Sequence, residues 1–237
     1  MAHLLPGWSV PPPITVASAA WEHLPGVSLV VVRAAAIENH LPKPALVAAL
    51  LERQAFLRAS WQGGSAQDHP FLAPVQALMR DVDGGAADQP AAITSLITAA
   101  LRDQPLEPSN PLVDLSRLVA MRFLLPVVGW DLEALDRAPA LRFTTGSERF
   151  RAFANRFAKP VDAGELAFIS GAWVIARHFV GQASENGKIT DTTRRALLVS
   201  AIAPGRMANR ASRVAETLAT LIANHFDAVA ETWILRP

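Results

Sequence analysis

Asn110-Pro111-Leu112-Val113-Asp114-Leu115-Ser116-Arg117-Leu118-Val119, followed by Leu125-Pro126-Val127-Val128-Gly129-Trp130-Asp131-Leu132-Glu133, is the stretch whose reading fixes the fold class. Pro105 and Pro108 break the chain ahead of it, and the apolar spacing then predicts a helix from about Pro111 to Leu124. Asp114 is read as structural, either a first-turn charge facing the helix dipole or a buried partner of Arg117 or Arg122. Asp131 follows Trp130 at what reads as a second helix start, where an aspartate caps more often than it catalyses. Residues 110–131 are therefore expected to form a helix and a turn.

Outward from this stretch the chain mixes strands and helices without an internal repeat. Ile14 to Ala19 and Val27 to Ala34 read as strands, the second rich in valine and bounded by Pro25-Gly26. Pro44 to Trp61 reads as a helix on the spacing of Leu46, Leu50, Phe56 and Leu57, and Gly63-Gly64-Ser65 ends it. A short helix follows from His69-Pro70 to Met79, closed by Asp83-Gly84-Gly85, and another runs from Ala91 to Arg102. Beyond residue 137 the chain turns mostly to short apolar runs: Ala140 to Thr144, Leu166 to Ser170 and Trp173 to His178. Arg195 to Ala203 reads as a strand or the end of a helix. A helix from Ala208 to Phe226 and an edge strand at Trp233-Ile234-Leu235 complete the chain. Helices first and strands later point to an α+β fold over a βαβ repeat.

Composition narrows the chemistry. The 237 residues are 51% hydrophobic and 18% charged, with no cysteine, which excludes disulfides, thiolate metal sites and cysteine nucleophiles. A chain of this length buries about 70% of its unfolded surface and needs no staple. The longest early apolar run, Val27 to Ile37, is interrupted by Ser28 and Arg33 and falls well short of the roughly 20 residues a membrane span needs. Met1 to Pro6 carries no basic leader, so a cytoplasmic protein without a membrane partner is expected. The net charge of +1 hides a polarised distribution. Residues 1–136 balance to −5, residues 137–213 to +8 and residues 214–237 to −2. The central block is almost all arginine, which suits bidentate phosphate contacts, although surface charge also scatters unevenly for no functional reason.

The familiar catalytic signatures are absent: no G-x-G-x-x-G, no Walker loop, no H-E-x-x-H and no G-x-S-x-G. The histidines at 3, 23, 40, 69, 178 and 225 never fall at metal-ligand spacing, so no metal and no cofactor are expected.

The quoted stretch resembles the B3/B4 domain, which occurs inside the β-subunit of bacterial phenylalanyl-tRNA synthetase and as free-standing proteins. That family's pattern has a proline and asparagine, then V-D-[VI]-x-N-x-V, then a proline and [FY]-D-L-[DE]. Further pieces follow in order: Leu141-Arg142 with Gly146-Ser147-Glu148-Arg149-Phe150, then Gly164-Glu165-Leu166, then Ile189-Thr190-Asp191-Thr192-Thr193. The resemblance covers about residues 105–200 well and the rest loosely. It implies a single α+β domain over residues 1–237, with a mostly antiparallel sheet, flanking helices and a central pocket. In the synthetase this domain hydrolyses tyrosine wrongly esterified to tRNA, and free-standing relatives are candidates for clearing mischarged tRNA in trans.

Carried over residue by residue, the family's pocket is only partly kept. Its arginine falls on Glu107, its histidine on Val128 and its glutamate on Glu185; the motif asparagine of V-D-x-x-N becomes Arg117. The W-N-W-R-Q run of the free-standing relatives becomes Phe179-Val180-Gly181-Gln182-Ala183. Glu185 is either a general base or substrate acceptor, or a solvated acid in a polar turn; Glu165 is the next acid in line. The remaining pocket residues expected are Asn110, Val128 and Trp130 as walls, with Arg177 or His178. These two alternate on a strand, so one of them alone would face the cavity. Arg149, Arg151, Arg156, Arg194 and Arg195 are the expected phosphate contacts.

Three functions follow. The first is hydrolysis of an aminoacyl-tRNA ester, an already activated bond that one carboxylate or a ribose hydroxyl can help water attack. The second is a biosynthetic enzyme using aminoacyl-tRNA or a free amino acid for condensation or Pictet–Spengler-type cyclisation at the α-amine. The third is a tRNA or amino-acid binding module without catalysis. The partners expected are aminoacylated tRNA and an amino acid, not DNA.

Overall fold

The computed structural model describes residues 11–61, 64–82, 92–102, 105–204 and 209–237. The Asp83-Gly84-Gly85 break, the Met1–Pro6 segment and Ala208 lie outside them. In chain order the elements are β1 (Thr15–Val16), α1 (Ser18–Glu22), β2 (Ser28–Ala35), α2 (Pro44–Ser60), α3 (Ala73–Val82), α4 (Ala92–Ala100), α5 (Pro111–Phe123), β3 (Val127–Asp131), β4 (Ala140–Phe143), β5 (Arg149–Phe150), β6 (Lys159–Pro160), β7 (Leu166–Ser170), β8 (Trp173–Arg177), β9 (Gln182–Ala183), β10 (Ala196–Ile202), α6 (Arg210–Phe226) and β11 (Val229–Leu235).

The fold is α+β, with two sheets in place of the single one expected. One has the order β1-β4-β7-β8-β5-β6, with β9 also on β8; the other is β11-β2-β10-β3. All pairs are antiparallel except β1 with β4 and β5 with β8. One apolar core takes in residues of both sheets and of all six helices, from Ile14 to Ala228. Among the described residues no helix is long and apolar enough to cross a membrane.

Local chemistry explains the elements that frame the site. α5 begins at Asn110, whose Oδ1 accepts the Val113 N–H at 3.1 Å, and Pro111 takes the first helical position, where a missing N–H costs nothing. It ends at Leu124, a left-handed residue whose N–H returns to Ala120 O, with Arg122 in the last turn. β10 has all seven residues buried and is paired on both sides, to β2 and β3, so it reads as one unbroken apolar run. Its one hydroxyl, Ser200, donates to Pro126 O at 2.8 Å. That pairing resolves the 195–203 ambiguity in favour of a strand.

Several expectations are corrected. Ala17 to Ala19 are not strand, because the chain turns into α1 after Val16. Phe56 of α2 is 57% exposed under Arg53; the buried position on that face is Gln54, held by Ala100 O at 3.2 Å and by the Leu106 N–H at 3.0 Å. Trp130-Asp131 does stand at a helix start, a single 3-10 turn over Leu132–Ala134 that Asp131 caps by accepting the Glu133 N–H at 2.9 Å. Both residues themselves belong to strand β3, with Trp130 opposite Leu197.

Candidate functional site

A cavity of about 390 Å³ lies among α4, α5, β3 and the segments after β8 and β9. Asn110, Val113 and Arg117 line it from α5 and its cap, Val128 and Gly129 from β3, and Ser184, Lys188 and Ile189 from the loop after β9. Val180, Gly181 and Ala183, which stand where the relatives' W-N-W-R-Q run is expected, line it too. Its walls are mainly aliphatic. The charged side chains that line it are Arg117 and Lys188, both cationic.

The motif residues meet through hydrogen bonds that hold these walls in register. Asp114 is 1% exposed, and both its carboxylate oxygens accept the Ser109 N–H at 3.0 Å. It also accepts from Arg117 at 3.1 Å, and the same guanidinium nitrogen donates to Glu107 O at 3.0 Å. Asp131 accepts the Glu133 N–H and the Thr193 hydroxyl, the latter at 2.7 Å, while Thr193 in turn accepts the Thr190 N–H. Asn110 Nδ2 donates to Ile189 O at 3.3 Å. The pieces on either side of residue 140 are thus tied together by Asp131, Thr193 and Asn110. Asn39, which carried no signal in the sequence, completes the tie. It is 1% exposed, donates to Asn110 Oδ1 and Thr190 O, and accepts the Leu112 N–H.

Two further motif acids are engaged in ion pairs. Glu148, 2% exposed, is bridged by Arg142 at 2.7 Å. Burial alone would raise its carboxyl pKa. The Thr145 N–H, the Arg142 guanidinium, its own N–H and the Thr145 hydroxyl outweigh that and hold it at about 2. Glu165 is gripped by Arg177, whose Nε lies 3.0 and 2.9 Å from its two oxygens, and it accepts the His178 N–H at 2.9 Å.

The remaining expected residues fall as follows. Trp130 does not line this cavity; at 1% exposure it is a core residue, its indole N–H on Ile175 O and its ring against Phe168. Glu107 is exposed and offers the site its carbonyl. Arg177 and His178 do not split between two faces. His178 and Phe179 both take positive φ, 49° and 64°, so β8 ends at Arg177 and the chain folds back, bringing Arg177 and the His178 amide to the same carboxylate. Nothing in the sequence marks that turn, since neither residue is glycine.

Glu185 lies beside the cavity, between two lining residues, Ser184 and Lys188. Its N–H donates to Arg151 O at 2.8 Å, and Lys188 Nζ stands 3.3 Å from its Oε1. Its Oε2 is buried and has no partner, as are Arg151 Nε and Asn186 Oδ1 nearby. Arg149 and Arg156 are exposed around the β5–β6 hairpin and Arg151 is half-buried there; Arg194 and Arg195 are exposed at the start of β10. Among the described residues no three His, Asp or Glu side chains gather as a metal site.

A family model of the B3/4 domain matches residues 87–227. The chain belongs to the B3/4 domain family. Its cavity therefore lies within the B3/4 region, lined wholly by residues of that match. Among solved structures, the crystal structure of an N-terminal fragment of the phenylalanyl-tRNA synthetase β-subunit from Pyrococcus horikoshii is similar, at 8% identity and a TM-score of 0.49. The alignment covers 98% of this B3/4 chain and 57% of that fragment. No curated protein matches the chain.

Proposed function

We propose that this B3/4 protein hydrolyses the ester of an aminoacyl-tRNA, with Glu185 as the general base. The observation that carries the reading is the convergence of Asn110, Arg117 and Val128 with Ser184, Lys188 and Ile189, which flank Glu185 in the loop after β9, on one cavity. The aliphatic walls suit an amino-acid side chain. Arg117 and Lys188 suit a phosphate of the terminal nucleotides. In this scheme water attacks the ester carbonyl as Glu185 takes its proton, and the bond to the ribose oxygen breaks. That oxygen leaves as a hydroxyl and the amino acid departs as its carboxylate. Lys188, on Oε1, orients the carboxylate, whose buried Oε2 has no other partner. Arg149, Arg156, Arg194 and Arg195, all exposed, are the candidates for phosphate contacts, and Arg151 adds its carbonyl to the Glu185 backbone. Glu165 is assigned to positioning, because Arg177 and the His178 amide already occupy its oxygens.

The test is incubation with a panel of aminoacyl-tRNAs, following deacylation and product mass together. Glu185→Gln keeps size and polarity but takes no proton, and should lower turnover at least about tenfold with RNA affinity unchanged. An unchanged rate removes Glu185 from the chemistry. A second reading, bond formation at the α-amine, draws on Glu107 and Val128 standing where the resemblance places an arginine and a histidine; it predicts a product heavier than the free amino acid.

A further inference from the structure

We propose that the β5–β6 hairpin is a stacking platform for the single-stranded 3′ end of RNA, with Phe153 and Phe157 under the bases and Arg149, Arg156 and Lys159 on the phosphates. This rests on the aminoacyl-tRNA reading above and names the surface that would deliver the ester to the cavity.

Residues 149–161 hold three phenylalanines, three arginines and a lysine, and no carboxylate. The hairpin treats its aromatic rings in two ways. Phe150 is 6% exposed and packs with Val161, Ile169 and Val174 in a small apolar cluster of its own, which anchors the hairpin to the larger sheet. Phe153 and Phe157 point outward, 48% and 81% exposed, and Phe157 is the most exposed large apolar side chain among the described residues. Folding gains nothing from that ring, whose burial would contribute favourably. A turn closed by the Asn155 N–H on Ala152 O, with Ala154 at a φ of 61°, separates the two rings.

Phe153 also lines the cavity, and Lys188 Nζ lies 5.2 Å from its ring centroid. A base stacked there leaves its ribose at the cavity mouth, beside the Glu185–Lys188 pair. Stacking suits a single strand because every base has a π-face, while the flanking cations meet the backbone. An apolar protein partner would call for a continuous patch. Here Asn155 and Arg156 interrupt the rings and Arg149 and Lys159 flank them.

The experiment is fluorescence anisotropy of a short fluorescein-labelled single-stranded RNA ending in CCA, titrated with the full chain. The wild type should bind with an affinity that falls as salt rises. Phe153→Leu and Phe157→Leu keep an apolar side chain and lose the π-face, so each should weaken binding roughly tenfold. Phe157→Trp should bind like the wild type, and Arg156→Glu should weaken binding and flatten the salt slope. Both leucines replace exposed rings, and unchanged thermal midpoints show that the fold is intact. Wild-type affinity in both leucine variants overturns the platform, as does failure of the wild type to bind RNA. Binding to vesicles of phosphatidylserine and phosphatidylcholine in place of RNA overturns it as well. Deacylation of charged tRNA separates the two proposals. Turnover with unaltered leucine variants defeats the platform alone, and ring-dependent RNA binding without turnover defeats the deacylase reading alone.

Discussion

Asn39 donates a hydrogen bond to the same Asn110 oxygen that caps α5, at 3.0 Å. The two amides bind three segments far apart in sequence, since Asn39 also reaches Thr190 O and Leu112 N while Asn110 reaches Ile189 O. Asn39→Ala strands the buried Leu112 N–H, while Thr190 O keeps the Thr193 N–H, and should cost about 1–3 kcal/mol. Asn110→Ala removes the cap and should cost about 1 kcal/mol for that alone. Urea denaturation of both variants measures the costs. A neutral Asn39→Ala would mean that water replaces the amide.

Glu165 separates a positioning role from a catalytic one. Its two oxygens carry Arg177 and the amide of His178, the first of two left-handed residues leading to the cavity-lining Val180 and Gly181. Each such residue costs about 1–2 kcal/mol in backbone energy, which these contacts offset. Glu165→Gln weakens the grip on Arg177 and should lower the thermal midpoint while reducing turnover less than Glu185→Gln does. The reverse order, a stable Glu165→Gln protein with the larger loss of rate, would move the chemistry to Glu165.

Glu148 sets an acid limit on stability. Its folded pKa of about 2 lies below the ordinary 4.5, so the unfolded chain binds the proton more tightly. The group therefore contributes fully above pH 4.5, and its contribution is lost as pH falls towards 2. The amount is on the order of 3 kcal/mol. Denaturation between pH 6 and 2 should show this loss. Glu148→Gln should be less stable at neutral pH and lose less on acidification. Parallel pH profiles for the two proteins would place the acid sensitivity elsewhere.

What the sequence made legible follows from how far each signal reaches. Helices α2, α5 and α6 are long enough for spacing to show, and the start of α5 is marked by Asn110 and Pro111. β5, β6 and β9 have two residues each, too few for alternation to register. Val127 to Asp131 is a strand because β10 pairs with it, a partner nearly seventy positions away that local pattern cannot supply. In the site, Asn110, Arg117 and Val128 were reachable through the ordered motifs. Asn39 is a single amide in a loop, and its role exists only through three distant contacts. Trp130 reads as a wall in the sequence because large apolar residues line pockets and fill cores alike; in β3, opposite Leu197, it is a core residue.

Gly129 offers a direct test of how tightly the cavity floor is built. It stands opposite Leu198 in the β3–β10 pairing, and a glycine inside a strand marks a close approach. A Cβ there would lie 2.6 Å from Leu198 Cδ2 and 2.8 Å from Ile189 Cδ1. Both contacts are too short to stand, so the fully buried Leu198 and the cavity-lining Ile189 must each shift. Gly129→Ala should therefore cost about 1–3 kcal/mol of stability through overpacking. It should also narrow the space for the acyl group, raising KM for the charged tRNA more than it lowers kcat if that group sits against Val128 and Ile189. Thermal denaturation and steady-state kinetics read the two effects separately. A stable Gly129→Ala protein with unchanged KM would mean that the floor gives way freely and that the acyl group does not rest on it.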